Sequence, residues 1–203
     1  MPLSLNILII GVTCLVSFVA FNNRRLIDQL ILWPPAINHH REYYRLVSYG
    51  LIHADGMHLL FNMMTLYFFG RVIEPLIVGH LGAIGYIAFY IGALIASILP
   101  TYAQNKDNPE YRSLGASGAV SAVLFAYILI QPWSRIYLYG AIGVPAIIYA
   151  ALYIGYSIYM DRARKDNVNH SAHLWGAAYG IAFLLVMEPS VLSVFLTRLG
   201  NPN

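Results

Sequence analysis

Six apolar stretches, residues 5–21, 57–78, 81–99, 115–130, 136–160 and 172–187, alternate with polar or charged connections along the chain. An apolar helix of about 20 residues matches the hydrocarbon thickness of a bilayer. Lipid offers no partner to a peptide group, so a spanning backbone must satisfy itself, and a helix does so. With 59% hydrophobic and 10% charged residues, 203 residues carry more apolar surface than a soluble domain of that size can bury. The expected fold class is therefore all-α and polytopic, a six-transmembrane-helix bundle forming a single membrane domain over residues 1–203.

The formal charge of +3 is spread over many loops without a basic run, so no nucleic-acid partner is expected. Cys14 is the single cysteine and forms no internal disulfide. The first twenty residues have the look of a signal peptide. Met1 to Asn6 lacks a basic region, however, and the apolar run continues to Phe21 without a small-residue cleavage site, so the segment reads as the first span.

Asn22, Asn23, Arg24 and Arg25 suit a headgroup boundary after that span. Residues 22–56 carry Trp33, Pro34, Pro35, Arg41 and Arg45 and read as a structured interfacial loop. The second span contains His58, Asn62, Arg71 and Glu74, a polar stripe that has to face protein or water. Pro100 is expected to end the third span, Gln131 and Pro132 the fourth, and Glu188 and Pro189 the sixth. Gly143 and Pro145 are expected to kink the fifth, and a short tail follows residue 189. No inverted repeat of the transporter kind is evident.

The fourth span opens with Leu114-Gly115-Ala116-Ser117-Gly118. A serine where a loop enters a helix sits beside unsatisfied N–H groups and a positive dipole end, and both can stabilise an oxyanion formed when the hydroxyl attacks a carbonyl. The bland alternative is that glycine and serine here only mediate close helix packing. The sixth span opens with Ala172-His173-Leu174-Trp175-Gly176, an imidazole at the head of an apolar helix; its bland alternative is an interfacial residue bonded to water or a loop carbonyl. Gly118, Ala122 and Ala126 on one helix, and Ala172, Gly176 and Gly180 on the other, repeat at i, i+4 and permit close backbone approach. If these faces pack, Ser117 and His173 come within hydrogen-bond reach, and a neutral imidazole suits removal of a serine proton.

His53, His58 and Asn62 cluster at the start of the second span. His58 and Asn62 share a helix face one turn apart, so both can donate to one developing negative charge. A metal site built from His53, His58 and His173 is the competing reading. No carboxylate or thiolate stands at ligand spacing, and the HExxH pattern is absent, so neither metal nor other cofactor is expected.

Together these residues resemble the rhomboid family of intramembrane serine proteases, over nearly the whole chain. The features that match are the six-helix plan, the long first loop with Tyr44-Arg45 where the family usually shows Trp-Arg, the His53/His58/Asn62 set, Gly115-Ala116-Ser117-Gly118, and Ala172-His173 followed by Gly176 and Gly180. The resemblance implies Ser117 as nucleophile and His173 as general base in a dyad without an acid. It implies an oxyanion hole from His58, Asn62 and the Ser117 N–H, with Gly115 beside them. His53, Tyr44, Arg45, Ser121 and His170 take supporting places. Arg71 and Glu74 resemble structural polar residues of the family and can form an i, i+3 pair.

Two positions depart from the pattern. Ser121 stands one turn after the nucleophile, where well-known members carry an aromatic stacked on the histidine, so stacking is not expected to hold His173. His170 replaces an asparagine found in some members three residues before the base. Nine of the twelve Lys and Arg fall in the first, third and fifth loops, which by the positive-inside rule puts the mouth of the site in the cytosol. The resemblance implies the reverse, in a bacterial inner membrane, with the Arg of a structured loop held there by local contacts.

The function expected from the resemblance is hydrolysis of transmembrane protein substrates that enter sideways from the lipid bilayer, with the fifth helix and the loop Asp161 to Ser171 as gate. A non-catalytic rhomboid-like protein that binds or escorts membrane proteins is the alternative; a small channel lined by His58, Asn62 and His173 is a third possibility that leaves the glycine-flanked serine unexplained.

Overall fold

The computed structural model describes residues 4–138 and 140–201. Among these residues the chain forms nine α-helices: α1 Leu5–Phe21, α2 Arg24–Leu30, α3 Pro34–His40, α4 Arg45–Ser48, α5 Gly56–Gln104, α6 Ser117–Ile130, α7 Ala146–Ala163, α8 His170–Met187 and α9 Ser190–Gly200. A 3-10 turn at Tyr49–Leu51 and a two-stranded hairpin, β1 Arg135–Leu138 and β2 Ile142–Pro145, complete it. Two helices, α5 and α8, are long and apolar enough to cross a membrane by length and composition.

The way α1 packs identifies the solvent on its outer side. Its buried residues are Asn6, Thr13, Ser17 and Ala20, whereas Leu15 and Phe18 are 67% and 63% exposed. A helix in water would be stable with the opposite arrangement. Asn6 is held by two bonds: its Nδ2 donates to the Leu66 carbonyl at 2.9 Å and its Oδ1 accepts from Tyr86 Oη at 2.9 Å. Gly70 lets the asparagine in, because a Cβ there would collide with its amide. Glu74 then caps α1 from across the bundle, accepting from Ser4 Oγ at 2.5 Å and from the Leu5 and Asn6 N–H groups at 2.6 and 3.3 Å. Glu74 therefore serves the N-terminus of α1 and does not form the expected pair with Arg71.

The second and third apolar stretches form one element, α5, broken at Gly82 (φ 70°, ψ −178°). Only glycine enters that region freely, so the change of direction falls there and not at residues 79–80. Pro100 does not end the helix as expected. The chain continues one turn to Gln104, where the Asn105 N–H caps the Thr101 and Tyr102 carbonyls. The expected kinked helix over residues 136–160 is also corrected. Arg135–Leu138 and Ile142–Pro145 pair instead as the antiparallel strands β1 and β2, Gly140 between them has φ 71°, and Pro145, which lacks an N–H, stands immediately before α7 at Ala146. Ser190–Gly200 is helical as well, with Val191 of α9 buried against the core.

The centre of the molecule is the contact of α6 with α8. A Cβ at Gly176 would strike the Gly118 carbonyl, and one at Gly180 would strike the Ala122 carbonyl, so the backbones touch along the two small-residue stripes. Nearly all of α6 is buried, with α5 on another side. The loop between α1 and α5 is fastened to the segment preceding α6 by a backbone pair. Leu32 N–H donates to the Ser113 carbonyl at 3.0 Å and Ser113 N–H to the Leu32 carbonyl at 3.2 Å. Gly115 N–H adds a bond to the Tyr49 carbonyl at 2.9 Å.

Candidate active site

The α6–α8 contact sets the relation between Ser117 and His173. Ser117 opens α6 and His173 stands in the first turn of α8, and with the stripes in register Ser117 Oγ lies 2.8 Å from His173 Nε2. Nε2 must be the acceptor if it is to take the serine proton, which places the imidazole hydrogen on Nδ1. Among the described residues no carboxylate is hydrogen-bonded to His173.

The start of α6 differs from its neighbours. Asp55 caps α5 by accepting the His58 N–H at 2.8 Å, and Asn169 caps α8 by accepting the Ala172 N–H at 3.0 Å. The residue before α6 is Ala116, which has no side chain able to cap. Its first N–H groups thus remain available beside Ser117 Oγ. Gly115 at φ 112° brings the backbone against the His58 ring, which a Cβ would approach to 2.6 Å.

A cavity of about 1040 Å³ adjoins these groups, lined by Ser117, His173, His58 and Asn62 and by Asp55, Tyr111 and Asn169 among others. His58 stands edge-on to His53 with ring centroids 4.9 Å apart. Asn62 uses one amide N–H on the His58 carbonyl, at 2.8 Å. The serine, the imidazole, the uncapped helix start and the two further donors therefore share one cavity.

His53 lies outside the cavity wall and supports it. It is 2% exposed, its Nε2 accepts the Ala116 N–H at 3.3 Å, and its Nδ1 is 3.0 Å from Ser17 Oγ. Burial first and the neighbouring His58 second push its imidazole down to about 3, so it is neutral at physiological pH. Arg45 and Tyr44 stand away from the chemistry. Buried Arg45 donates to the Asp28 and Ile31 carbonyls at 2.7 and 2.8 Å and to Glu42 at 2.5 Å, while Tyr44 Oη donates to the Gln29 carbonyl at 3.1 Å. They tie the first loop to itself. His170 is buried with Nε2 3.2 Å from both Asp166 oxygens, its ring perpendicular to that of His173 at 5.7 Å.

Contrary to expectation, an aromatic ring does stack on His173. It is Tyr153 of α7, with centroids 6.0 Å apart and planes 30° from parallel. Ser121, where the aromatic was expected to be missed, is hydrogen-bonded to Tyr153 Oη at 2.7 Å. Sequence reasoning overlooked Tyr153 because it is one of several tyrosines on an apolar helix, and no spacing sets it apart.

The fold and the site define a class, a helical membrane protein with a hydrogen-bonded serine and histidine lining one cavity. The chain belongs to the rhomboid family of polytopic membrane proteins: the model of the rhomboid domain matches residues 40–190. It is 35% identical over 144 residues to RHOMBOID-like protein 12, mitochondrial, of Arabidopsis thaliana, a match that covers 66% of this chain and 43% of that protein. It is 31% identical to the protein YdcA of Bacillus subtilis (strain 168), over 72% of this chain and 69% of that one. To the rhomboid protease GlpG of Haemophilus influenzae it is 26% identical, over 75% and 73%. The chain thus spans less than half the length of the plant relative it matches.

Proposed function

We propose that this protein is an intramembrane serine endopeptidase that hydrolyses peptide bonds in or near the transmembrane segments of other membrane proteins. The observation that carries this reading is the 2.8 Å approach of Ser117 Oγ to His173 Nε2 at an uncapped helix start facing a polar cavity. Ser117 attacks the scissile carbonyl as His173 takes its proton. The acyl-enzyme forms when His173 returns that proton to the departing amine, and water activated by the same imidazole then releases the acid. The Ser117 N–H, with His58 and Asn62 across the cavity and Gly115 keeping the backbone close, receives the oxyanion.

The whole chain acts as one membrane domain with six crossings: α1, the two limbs of α5 on either side of Gly82, α6, α7 and α8. The two limbs are long enough for the purpose at about 1.5 Å per residue. The short α6 is surrounded by the other helices, which suits a crossing that begins below the membrane surface and holds its serine in a water-filled recess. The proposed membrane is a bacterial inner membrane, with the mouth outward. Substrates enter past α7, and segments with small or helix-weakening residues near the cut unwind most readily into the cavity.

The test is cleavage of a transmembrane reporter by the purified protein in liposomes, with Ser117→Ala and His173→Ala alongside. Loss of cleavage in both variants supports the dyad. Cleavage that persists in Ser117→Ala overturns it, and a folded wild type that binds membrane proteins but cuts none of a reporter panel favours an escort role.

A further inference from the structure

The imidazole of His173 is held by a ring that α7 supplies. Ala146, Ala150 and Ser157 of α7 are buried and Ile147 and Tyr149 pack beside them, while Ile148, Leu152 and Tyr159 are exposed and Tyr156 meets the His170 ring edge-on at 5.6 Å. Tyr153 is the side chain of α7 whose ring reaches both α6 and the imidazole of His173. Its ring meets Phe125 of α6 at 5.5 Å and His173 of α8 at 6.0 Å, and its hydroxyl is bonded to Ser121 of α6. The ring is thereby fixed at both ends, through its face on the imidazole and through Oη on a buried serine one turn beyond Ser117.

We infer that Tyr153, held by Ser121, is the positioning residue of His173, and that the dyad is aligned only while α7 is docked. On the proposed proteolytic reading, on which this inference rests, α7 closes the side through which a substrate enters. An α7 displaced outward carries Tyr153 with it and leaves the imidazole free to turn away from Ser117 Oγ, because among the described residues no acceptor holds Nδ1. The serine is then least reactive while the bundle is open to lipid, and it regains its base when α7 returns over a seated substrate. The geometry suits such a clamp: offset rings at this distance attract, and a neutral ring face leaves both imidazole nitrogens available for proton transfer. A carboxylate acting on Nδ1 would instead hold the histidine independently of α7.

The experiment measures reporter kcat and KM together with the rate at which a fluorophosphonate labels Ser117, in wild type and Ser117→Ala, Tyr153→Phe, Tyr153→Leu, Ser121→Ala and Tyr153→Leu/Ser121→Phe proteins. Leu152→Ala on the outer face of α7 serves as control. Wild type that neither cuts nor labels at Ser117 overturns the proteolytic reading itself. With that reading intact, Tyr153→Leu lowers kcat and labelling together by roughly tenfold with KM little changed, as expected for a lost aromatic contact. Tyr153→Phe and Ser121→Ala, which keep the ring but free its hydroxyl end, lose about threefold or less on the same scale. Ser121→Phe, which offers a ring from α6 instead, restores labelling in the Tyr153→Leu background. Tyr153→Leu labelled at the wild-type rate overturns the inference. So does a double variant that melts like wild type yet stays at the Tyr153→Leu rate, since the loss would then belong to α7 packing and not to the stack.

Discussion

His53 holds Ala116, the residue before the serine helix: its Nε2 accepts the Ala116 N–H at 3.3 Å from a fully buried position. Since Nε2 is the acceptor, Nδ1 carries the hydrogen and gives it to Ser17 Oγ at 3.0 Å, and Ser17 donates onward to the Leu51 carbonyl at 2.9 Å. One neutral imidazole therefore links α1, the first loop and the entry to α6.

Protonation breaks that link, because an imidazolium has no lone pair for the Ala116 N–H. The group sits at about 3 in the folded protein against an ordinary value of 6.5. Between these values the unfolded chain binds a proton that the folded one does not. Stability from this site is therefore full above about pH 6.5 and falls with pH below it, by up to about 1.4 kcal/mol per unit. Melting of wild type and His53→Gln in detergent between pH 7 and pH 4.5 checks this. Glutamine keeps a donor and an acceptor without titrating, so its melting temperature is expected to fall less steeply with acid; parallel slopes would assign the acid sensitivity elsewhere.

The approach of Ser117 to His173 was legible because small residues at i, i+4 on two apolar helices have one physical use, close backbone contact, and the two polar residues stand at the ends of those stripes. The Gly82 break and the pairing of β1 with β2 were not. Ile136, Tyr137, Leu138 and Ile142 suit a strand as well as a spanning helix, and hydropathy cannot separate the two. Tyr153 on His173 and Glu74 on α1 were hidden for another reason, since each joins residues that no local period relates. The arginines of the first and third loops fall between these cases. Arg45 is committed to carbonyls of its own loop, and Arg112 lies over the Trp33 ring at 4.7 Å while donating to the Pro109 carbonyl at 3.3 Å. Such local employment weakens a topology argument that counts arginines as if all faced a membrane surface.

Gly176→Ala tests the helix contact. The added methyl meets the Gly118 carbonyl, a backbone atom that cannot swing aside, so α8 must shift from α6. A loss of about 1–3 kcal/mol in stability is expected, with a larger fall in cleavage because the same contact aligns Ser117 with His173. Gly11→Ala is the matched control. A Cβ there meets nothing within 4 Å, and alanine is the better helix former, so melting is expected to be unchanged or slightly raised.

Glu74→Ala removes the far-side cap of α1, with its acceptors for Ser4 Oγ and the Leu5 and Asn6 N–H groups and its charge at the positive end of the helix. A stability loss of about 1–3 kcal/mol is expected. Glu74→Gln keeps the shape and one acceptor oxygen and should lose less. Because Ser17 of α1 is joined to the site through His53, outside the cavity wall, KM on the reporter should be near wild type in both; a large KM change would mean that α1 shapes the substrate path directly.

His58 and Asn62 differ in what they can do before substrate arrives. Asn62 already spends one amide N–H on the His58 carbonyl, leaving the second for a ligand in the cavity, whereas the His58 ring packs on the backbone at Gly115. If both donate to the oxyanion, each contact is made chiefly in the transition state, so its removal lowers kcat and leaves KM nearly unchanged. Asn62→Ala is expected to lower kcat by about 10²–10³, the range found when one such donor is deleted. His58→Ala should lower it at least as far, because the Gly115 backbone also loses the ring it packs against. Reporter cleavage at saturating and limiting substrate separates the two constants. A fall confined to KM would make these residues part of substrate binding, and the oxyanion would then rest on the backbone N–H groups at the start of α6 alone.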